Sequence, residues 1–334
     1  MTPTRSITAF VRRAPLLLLV PLTLGLSACG DDETSADDRA AATVEHALGT
    51  TEVPAAPKRI VSLGGAATDA AIALGVTPIA GPENLAAPGQ ARPWHEGHDV
   101  SQMKEIAGAV TGQVKLDQIL ALKPDLIFAG EFANAKELYP QLAKIAPTIA
   151  YQEGPYEDSW QTTTTVVGQA LGRESQAKDL IAKTEAQVAR VAADHPGLDG
   201  RTWTFFVAQS PSRVGVLVNP KDSLTTLLGE LGLKPVPAQQ RLKIDASTPG
   251  VAGLSIEQAR RLDADVVFGT YPAPPLRKAI EGNGVFGQLD AVRDGRYLAL
   301  DLSQGGGLRA PTVLALPWSL ELLEPTLKKV EPAA

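Results

Sequence analysis

RESQAKDLIAKTEAQVARVAADH, residues 173–195, sets Ala177, Leu180, Ile181, Thr184, Val188, Val191 and Ala192 at three- and four-residue steps. That spacing gathers side chains on one face of a helix. Gly172 closes the helix before it, and Pro196-Gly197 closes this one. At about 1.5 Å per residue the helix spans roughly 30 Å, the width of a small domain. A helix of that length can serve as a strut.

What precedes the strut is repeated after it. DQILALKPDLIFAG, residues 117–130, aligns without a gap on EQARRLDADVVFGT, residues 257–270. Each copy has an acid followed by Gln, a short amphipathic helical segment, an aspartate eight positions after the first acid (Asp125, Asp265), and an apolar run carrying a Phe (Phe128, Phe268). Short apolar runs closed by Gly suit strands covered on both faces, as in parallel sheets flanked by helices. The pattern predicts an α/β fold: two α/β halves on a helical strut.

Bulk properties narrow the function. The 334 residues, 44% hydrophobic, hold enough material for two ordinary lobes. The formal charge is −6, and removing a leader that contains Arg5, Arg12 and Arg13 but no acid takes it to −9. Such a chain does not seek a nucleic-acid backbone. One cysteine excludes a disulfide framework and a multi-cysteine metal site.

Residues 1–28 read as an export leader, with arginines followed by the apolar PLLLLVPLTLGL and small residues. The apolar core is too short to span a bilayer. Its end, Leu26-Ser27-Ala28-Cys29, resembles a bacterial lipobox, which makes Cys29 the site of lipid attachment and the mature N-terminus. Arg12-Arg13 leaves the Sec and twin-arginine export routes both open. Residues 29–42, acidic and small, form a tether. The N-terminal lobe is assigned to residues 43–158, opening with a hairpin in TVEHALGTTEVP. The inter-lobe helical segment takes 159–196, and the C-terminal lobe 197–330.

KRIVSLGGAATDAAIALGV, residues 58–76, reads as strand, Gly-rich turn and helix, the helix over 68–74. Such a turn invites a phosphate, but no Walker lysine follows and the G-x-G-x-x-G spacing is missing. It reads instead as a tight turn at the open end of a sheet, where ligands of α/β sheets sit.

In order along the chain, PKRIVSLGGAATDAAIALGV, LDQILALKPDLIFAG, QALGRESQAKDLI, LSIEQARRLDADVVFG and FGQLDAVRDGRYLALD resemble the iron-siderophore and vitamin B12 substrate-binding proteins of ABC importers. The resemblance covers residues 43–330 and implies two Rossmann-like α/β lobes joined by a single long α-helix with the ligand cleft between them, an exported and lipid-anchored monomer, and delivery of a captured ligand to a permease dimer with its ATPase. It further implies that one carboxylate on each lobe docks against permease arginines. The matching residues are Asp117, where Glu is more frequent in the family, and Glu257. Both acids also suit the first turn of a helix, where the dipole favours negative charge.

A ferric siderophore brings its own oxygen ligands, so its binder needs shape, aromatic faces and charge, with no metal ligands or cofactor of its own. Candidates at predicted strand ends and loops are Arg92 and Trp94 in QARPWHEGH, Phe132 past the N-lobe strand, Tyr151 and Tyr156. On the C-lobe they are Phe206, Gln209 and Arg213 around TWTFFVAQ, Tyr271 after VVFGT, and Arg309 beside GGGLRAP.

His95-Glu96-Gly97-His98 offers metal-ligating side chains but lies in a Pro/Gly loop and reads as solvated. Gly282-Asn283-Gly284-Val285-Phe286-Gly287 matches G-x-G-x-x-G, yet follows the helical LRKAIE, so it is no dinucleotide site. No G-x-S-x-G elbow, H-E-x-x-H or Walker loop points to an enzyme. Within the binding class, cobalamin and haem stay open as alternatives to a siderophore.

Overall fold

The structure, a computed structural model, describes residues 40–155, 157–245 and 250–330. The leader, Cys29 and Tyr156 lie outside the described residues. Strand β1 (Ala40–His46) pairs antiparallel with β2 (Gly49–Pro54) in a separate hairpin. The strand begins at Ala40, so the last three residues assigned to the tether belong to it. Backbone pairing recruits them, which alanines do not advertise in sequence.

The first lobe alternates β3 (Ile60–Ser62), α1 (Gly65–Ala73), β4 (Ala80–Pro82), β5 (Lys104–Ile106), α2 (Leu116–Ala121), β6 (Leu126–Phe128), α3 (Ala135–Leu142) and β7 (Thr148–Ile149). All five strands are parallel, in the order β5-β4-β3-β6-β7. Helix α1 starts three residues earlier than the sequence predicts, because the extended backbone of Gly64 caps it directly after β3.

Helices α4 (Trp160–Ala170) and α5 (Glu174–Asp194) follow. The second, 21 residues long, is the strut. Ala177, Thr184 and Val188 are buried, and Leu180, Ile181, Val191 and Ala192 pack against the same core. Every residue of the predicted stripe faces the body. Gly168 of α4 sits so close to α5 that a Cβ on it would lie 2.5 Å from the Cβ of Ala177. The two helices cross there with nothing between them.

The second lobe runs β8 (Thr202–Ser210), β9 (Arg213–Leu217), α6 (Ser223–Glu230), β10 (Lys234–Pro235), β11 (Val251–Ser255), β12 (Val266–Thr270), α7 (Pro274–Glu281), α8 (Asp290–Arg293), β13 (Tyr297–Leu300), α9 (Leu302–Arg309) and α10 (Ala315–Leu327). Its sheet is mixed, in the order β11-β9-β8-β12-β13 with β10 beside β8; β9 alone is reversed, running antiparallel to both β8 and β11. A 3-10 helix, Ile256–Leu262, stands where the first lobe has α2.

One apolar cluster runs through both lobes, from Ile60 and Phe128 through Trp160 and Val188 to Trp203, Phe268 and Leu316. A core shared in this way resists shearing of one lobe against the other, because separating them would expose apolar surface at about 25 cal/mol per Å². Each lobe also has an outer core of its own.

Candidate functional site

In an open α/β sheet, ligands bind outside the carboxyl ends of the strands where the strand order reverses. The first lobe reverses between β3 and β6, and the residues just beyond these strands are Leu63, Gly64, Gly65 and Glu131. The second reverses between β8 and β12, which contribute Phe205, Val207 and Thr270. All of these line one cavity of about 330 Å³. Arg92, Trp94 and Leu85 from the loops of the first lobe and α9 with Thr312 of the second complete its wall.

Asp69, midway along α1, organises the junction. Its side chain is buried, and its Oδ2 accepts from Trp94 Nε1 at 2.7 Å and from Thr312 Oγ1 at 2.6 Å. Its Oδ1 lies 2.7 Å from His95 Nε2. Thr312 belongs to the second lobe, so one carboxyl group ties both lobes and holds the Trp94 ring. That ring packs on Trp318 of α10 at 5.4 Å between centroids. The ring also meets α9, where a Cβ on Gly307 would come within 2.7 Å of Trp94. Thr270 approaches Gly305 of the same helix even more closely. The GGG run lets α9 lie against both side chains.

A family model described as periplasmic binding protein matches residues 60–302. The chain belongs to the periplasmic binding protein family. This periplasmic binding protein is 29% identical over 317 residues to the Bacillus subtilis protein named Probable siderophore-binding lipoprotein YfiY, covering 90% of this chain and 94% of that one. Among solved structures, a periplasmic solute binding protein of Mycobacterium smegmatis is similar with a TM-score of 0.70 at 26% identity, covering 86% of this chain and 98% of that one. SirA of Staphylococcus aureus, complexed with staphyloferrin B, gives 0.68 at 26% identity, over 86% of this chain and 97% of that one.

Of the candidates read from the sequence of this periplasmic binding protein, the structure brings Arg92, Trp94 and Arg309 to the cavity. Arg92 Nη2 donates to the carbonyls of Pro82 and Glu83, and Arg309 lies 3.5 Å from Asp222 Oδ2. Burial pushes the Asp222 carboxyl up, against the pull of Arg309 and the Leu224 N–H.

The other described candidates are corrected. Phe132 and Tyr151 are buried in the outer core of the first lobe. Phe206 and Tyr271 pack edge to face in that of the second, where Tyr271 also meets the hydroxyl of Tyr297 at 2.6 Å. Gln209 and Arg213 are exposed and pair with each other, Arg213 also with Asp245 at 2.9 Å, outside the cavity wall. The physical reason is strand alternation: neighbours on β8 point to opposite faces, and Phe205 takes the cavity side while Phe206 takes the outer core. The His95 loop is corrected too, since His95 is buried against Asp69. Among the described residues, no group of three or more His, Cys, Asp or Glu gathers around a metal position.

The three acids of the periplasmic binding protein's cavity, Asp69, Glu83 and Glu131, were missed. Asp69 had a signal: it is the one charged residue in a helix otherwise apolar or small, GAATDAAIA. Glu131 had a weaker one, its place three residues past β6. Its Oε2 accepts from Ala66 N at 2.6 Å, nested against Gly64 and Gly65. The Gly-rich turn therefore holds a carboxyl group supplied by the chain itself. Burial raises the Glu131 carboxyl to about 7; the Ala66 N–H opposes this, the Asp69 and Asp158 carboxyls add to it, and Arg92 lowers it.

Proposed function

We propose that the chain is a lipid-anchored substrate-binding protein of an ABC importer, held at the outer face of the cytoplasmic membrane, that captures an iron(III)-siderophore complex between its lobes. The observation that carries this reading is the cavity at the two facing switch points, mostly apolar and equipped with Arg92, Arg309 and the Trp94 ring. A siderophore satisfies its own iron. What it asks of a protein is an enclosing shape, an aromatic face, and guanidinium forks for carboxylate, catecholate or hydroxamate oxygens. The kinship with YfiY, named for siderophore binding, and with SirA, solved with staphyloferrin B, supports the same ligand class.

The remaining parts of the reading concern delivery. Cys29 carries the lipid, and the protein works as a monomer that hands its ligand to a permease dimer driven by an ATPase. Asp117 and Glu257, both exposed and both in the first turn of the helix that feeds an inner strand, are the docking acids. The lobes move little on capture, because their core is shared.

Tryptophan fluorescence tests the ligand class. The full chain, purified in mild detergent, is titrated with ferric hydroxamates, ferric catecholates, ferric citrate, cobalamin and haem. Saturable quenching by a ferric chelate and not by its iron-free form is expected, since Trp94 lines the cavity. A response to cobalamin or haem alone overturns the siderophore, and silence from folded protein overturns the binding role.

A further inference from the structure

Five charged side chains line the cavity: Asp69, Glu83, Arg92, Glu131 and Arg309. Asp69 and Glu83 have both carboxyl oxygens engaged by the protein, and Arg92 spends one of its three nitrogens on it. Asp69 takes Trp94, His95 and Thr312. Glu83 accepts the main-chain N–H groups of Gly108, Ala109 and Val110. Arg92 is turned onto two carbonyls. Glu131 differs. Its Oε2 accepts one bond, from Ala66, and its Oε1 accepts none from the described residues. The side chain is only half-buried and faces the cavity at the switch point of the first lobe. A carboxylate with an unused oxygen in a largely apolar enclosure attracts N–H and ammonium groups and repels anionic oxygens.

Resting on the siderophore reading, we infer that Glu131 sets the charge preference of the cavity: it engages an amine or amide N–H on the periphery of the ferric ligand and discriminates against strongly anionic chelates. Arg92 and Arg309 then hold the iron-binding oxygens at the other walls. The ligand class is a cationic or neutral ferric complex bearing N–H donors, in preference to a ferric tris-catecholate.

The test compares the full chain with Glu131→Gln, which keeps the shape and one acceptor but removes the charge. Both are titrated with ferrioxamine B, which ends in an ammonium, its N-acetylated form, ferrichrome, ferric citrate and ferric enterobactin. The expected result is a change in affinity that tracks ligand charge, about tenfold weaker for the cationic chelate and about tenfold tighter for the most anionic one. A change of the same factor for every ligand, or none, overturns the inference and leaves the siderophore reading standing. Tightest binding of ferric enterobactin by the natural protein does the same. No binding of any ferric chelate by either protein overturns both. A second measurement needs no variant. The groups facing Glu131 are the Ala66 N–H and Asp69 of α1, Asp158 ahead of α4, and Arg92 of the loop. As pH falls from 8 to about 6, Glu131 takes up a proton and the natural protein is expected to acquire the preferences of the Gln variant; preferences that stay constant across that range overturn the inference.

Discussion

Asp69 on α1 and Thr312 ahead of α10 meet between the lobes, the Thr312 hydroxyl donating to the Asp69 carboxyl at 2.6 Å. The same oxygen orients Trp94, so the junction and the cavity wall are set by one group. Asp69→Ala leaves the donors of Trp94 and of the buried His95 and Thr312 without this acceptor and is expected to cost about 3–5 kcal/mol in urea denaturation. Thr312→Val removes two bonds, the one to Asp69 and the one accepted from the Ala315 N–H, and should cost about 1–3 kcal/mol. In the Ala variant ferric-chelate affinity falls as well, because the indole of Trp94 is released. Equal stability of Asp69→Ala and the natural protein would sink this account of the junction.

The three glycines of α9 are not equivalent. A Cβ on Gly305 runs into Thr270 and one on Gly307 into Trp94, whereas one on Gly306 meets nothing within 4 Å. Gly305→Ala and Gly307→Ala are expected to destabilise by about 1–3 kcal/mol. Gly306→Ala gains helix propensity and should stabilise by about 0.5–1 kcal/mol. Thermal melts of the three variants separate the signs. Only Gly307→Ala disturbs Trp94, so its fluorescence maximum should shift while that of Gly306→Ala stays.

The repeat and the strut were legible because each obeys a local rule. The repeated aspartates even perform one task in both lobes: Asp125 accepts from the N–H groups of Lys58 and Arg59 ahead of β3, and Asp265 from that of Thr202 at the start of β8. Each ties the strand that follows it to its neighbour in the sheet. The spacing of these acids was visible in the sequence, but their partners, more than 60 residues away, were not. The cavity was harder for a physical reason. Strands covered on both faces carry no alternation of apolar and polar residues, so nothing local told Phe205 from Phe206. Arg92 and Trp94 come from a Gly/Pro-rich loop, where a large cationic or aromatic side chain has little core to enter, whereas Arg309 closes α9, a helix that the GGG run ahead of it did not announce. Asp69 and Glu131 took their meaning from contacts that only the folded chain makes.

Glu131 ties stability to pH. Its carboxyl rises from 4.5 to about 7 in the folded protein. A raised acid contributes stability that is fully present below its unfolded value and is lost as pH rises through the folded one. The natural protein should therefore lose stability between pH 4.5 and 7 at this site. Glu131→Gln cannot ionise and escapes the loss. The two proteins are expected to be closest near pH 4, and the variant more stable by about 1–3 kcal/mol at pH 8. Urea midpoints at the two pH values check this, and a natural protein that is the more stable at pH 8 contradicts it.

Asp117 and Glu257 separate helix stabilisation from docking. Each lies in the first turn of a short helix, where a negative charge is worth about 0.3–1 kcal/mol. Reversing both, Asp117→Arg with Glu257→Arg, should lower stability by about 1–2 kcal/mol in all, well short of unfolding. Neither residue lines the cavity, so chelate affinity in the purified double variant should match the natural protein. On the docking proposal, uptake of radiolabelled ferric chelate by cells carrying only the variant is expected to fall to the level of cells without the protein, because each arginine would then meet cationic groups on the permease. Two like charges 4 Å apart repel by roughly 1–4 kcal/mol between the water and surface limits, and the pair acts twice. Unchanged uptake would assign both acids to helix stabilisation alone, and weakened chelate binding would place them in a role the cavity does not reveal.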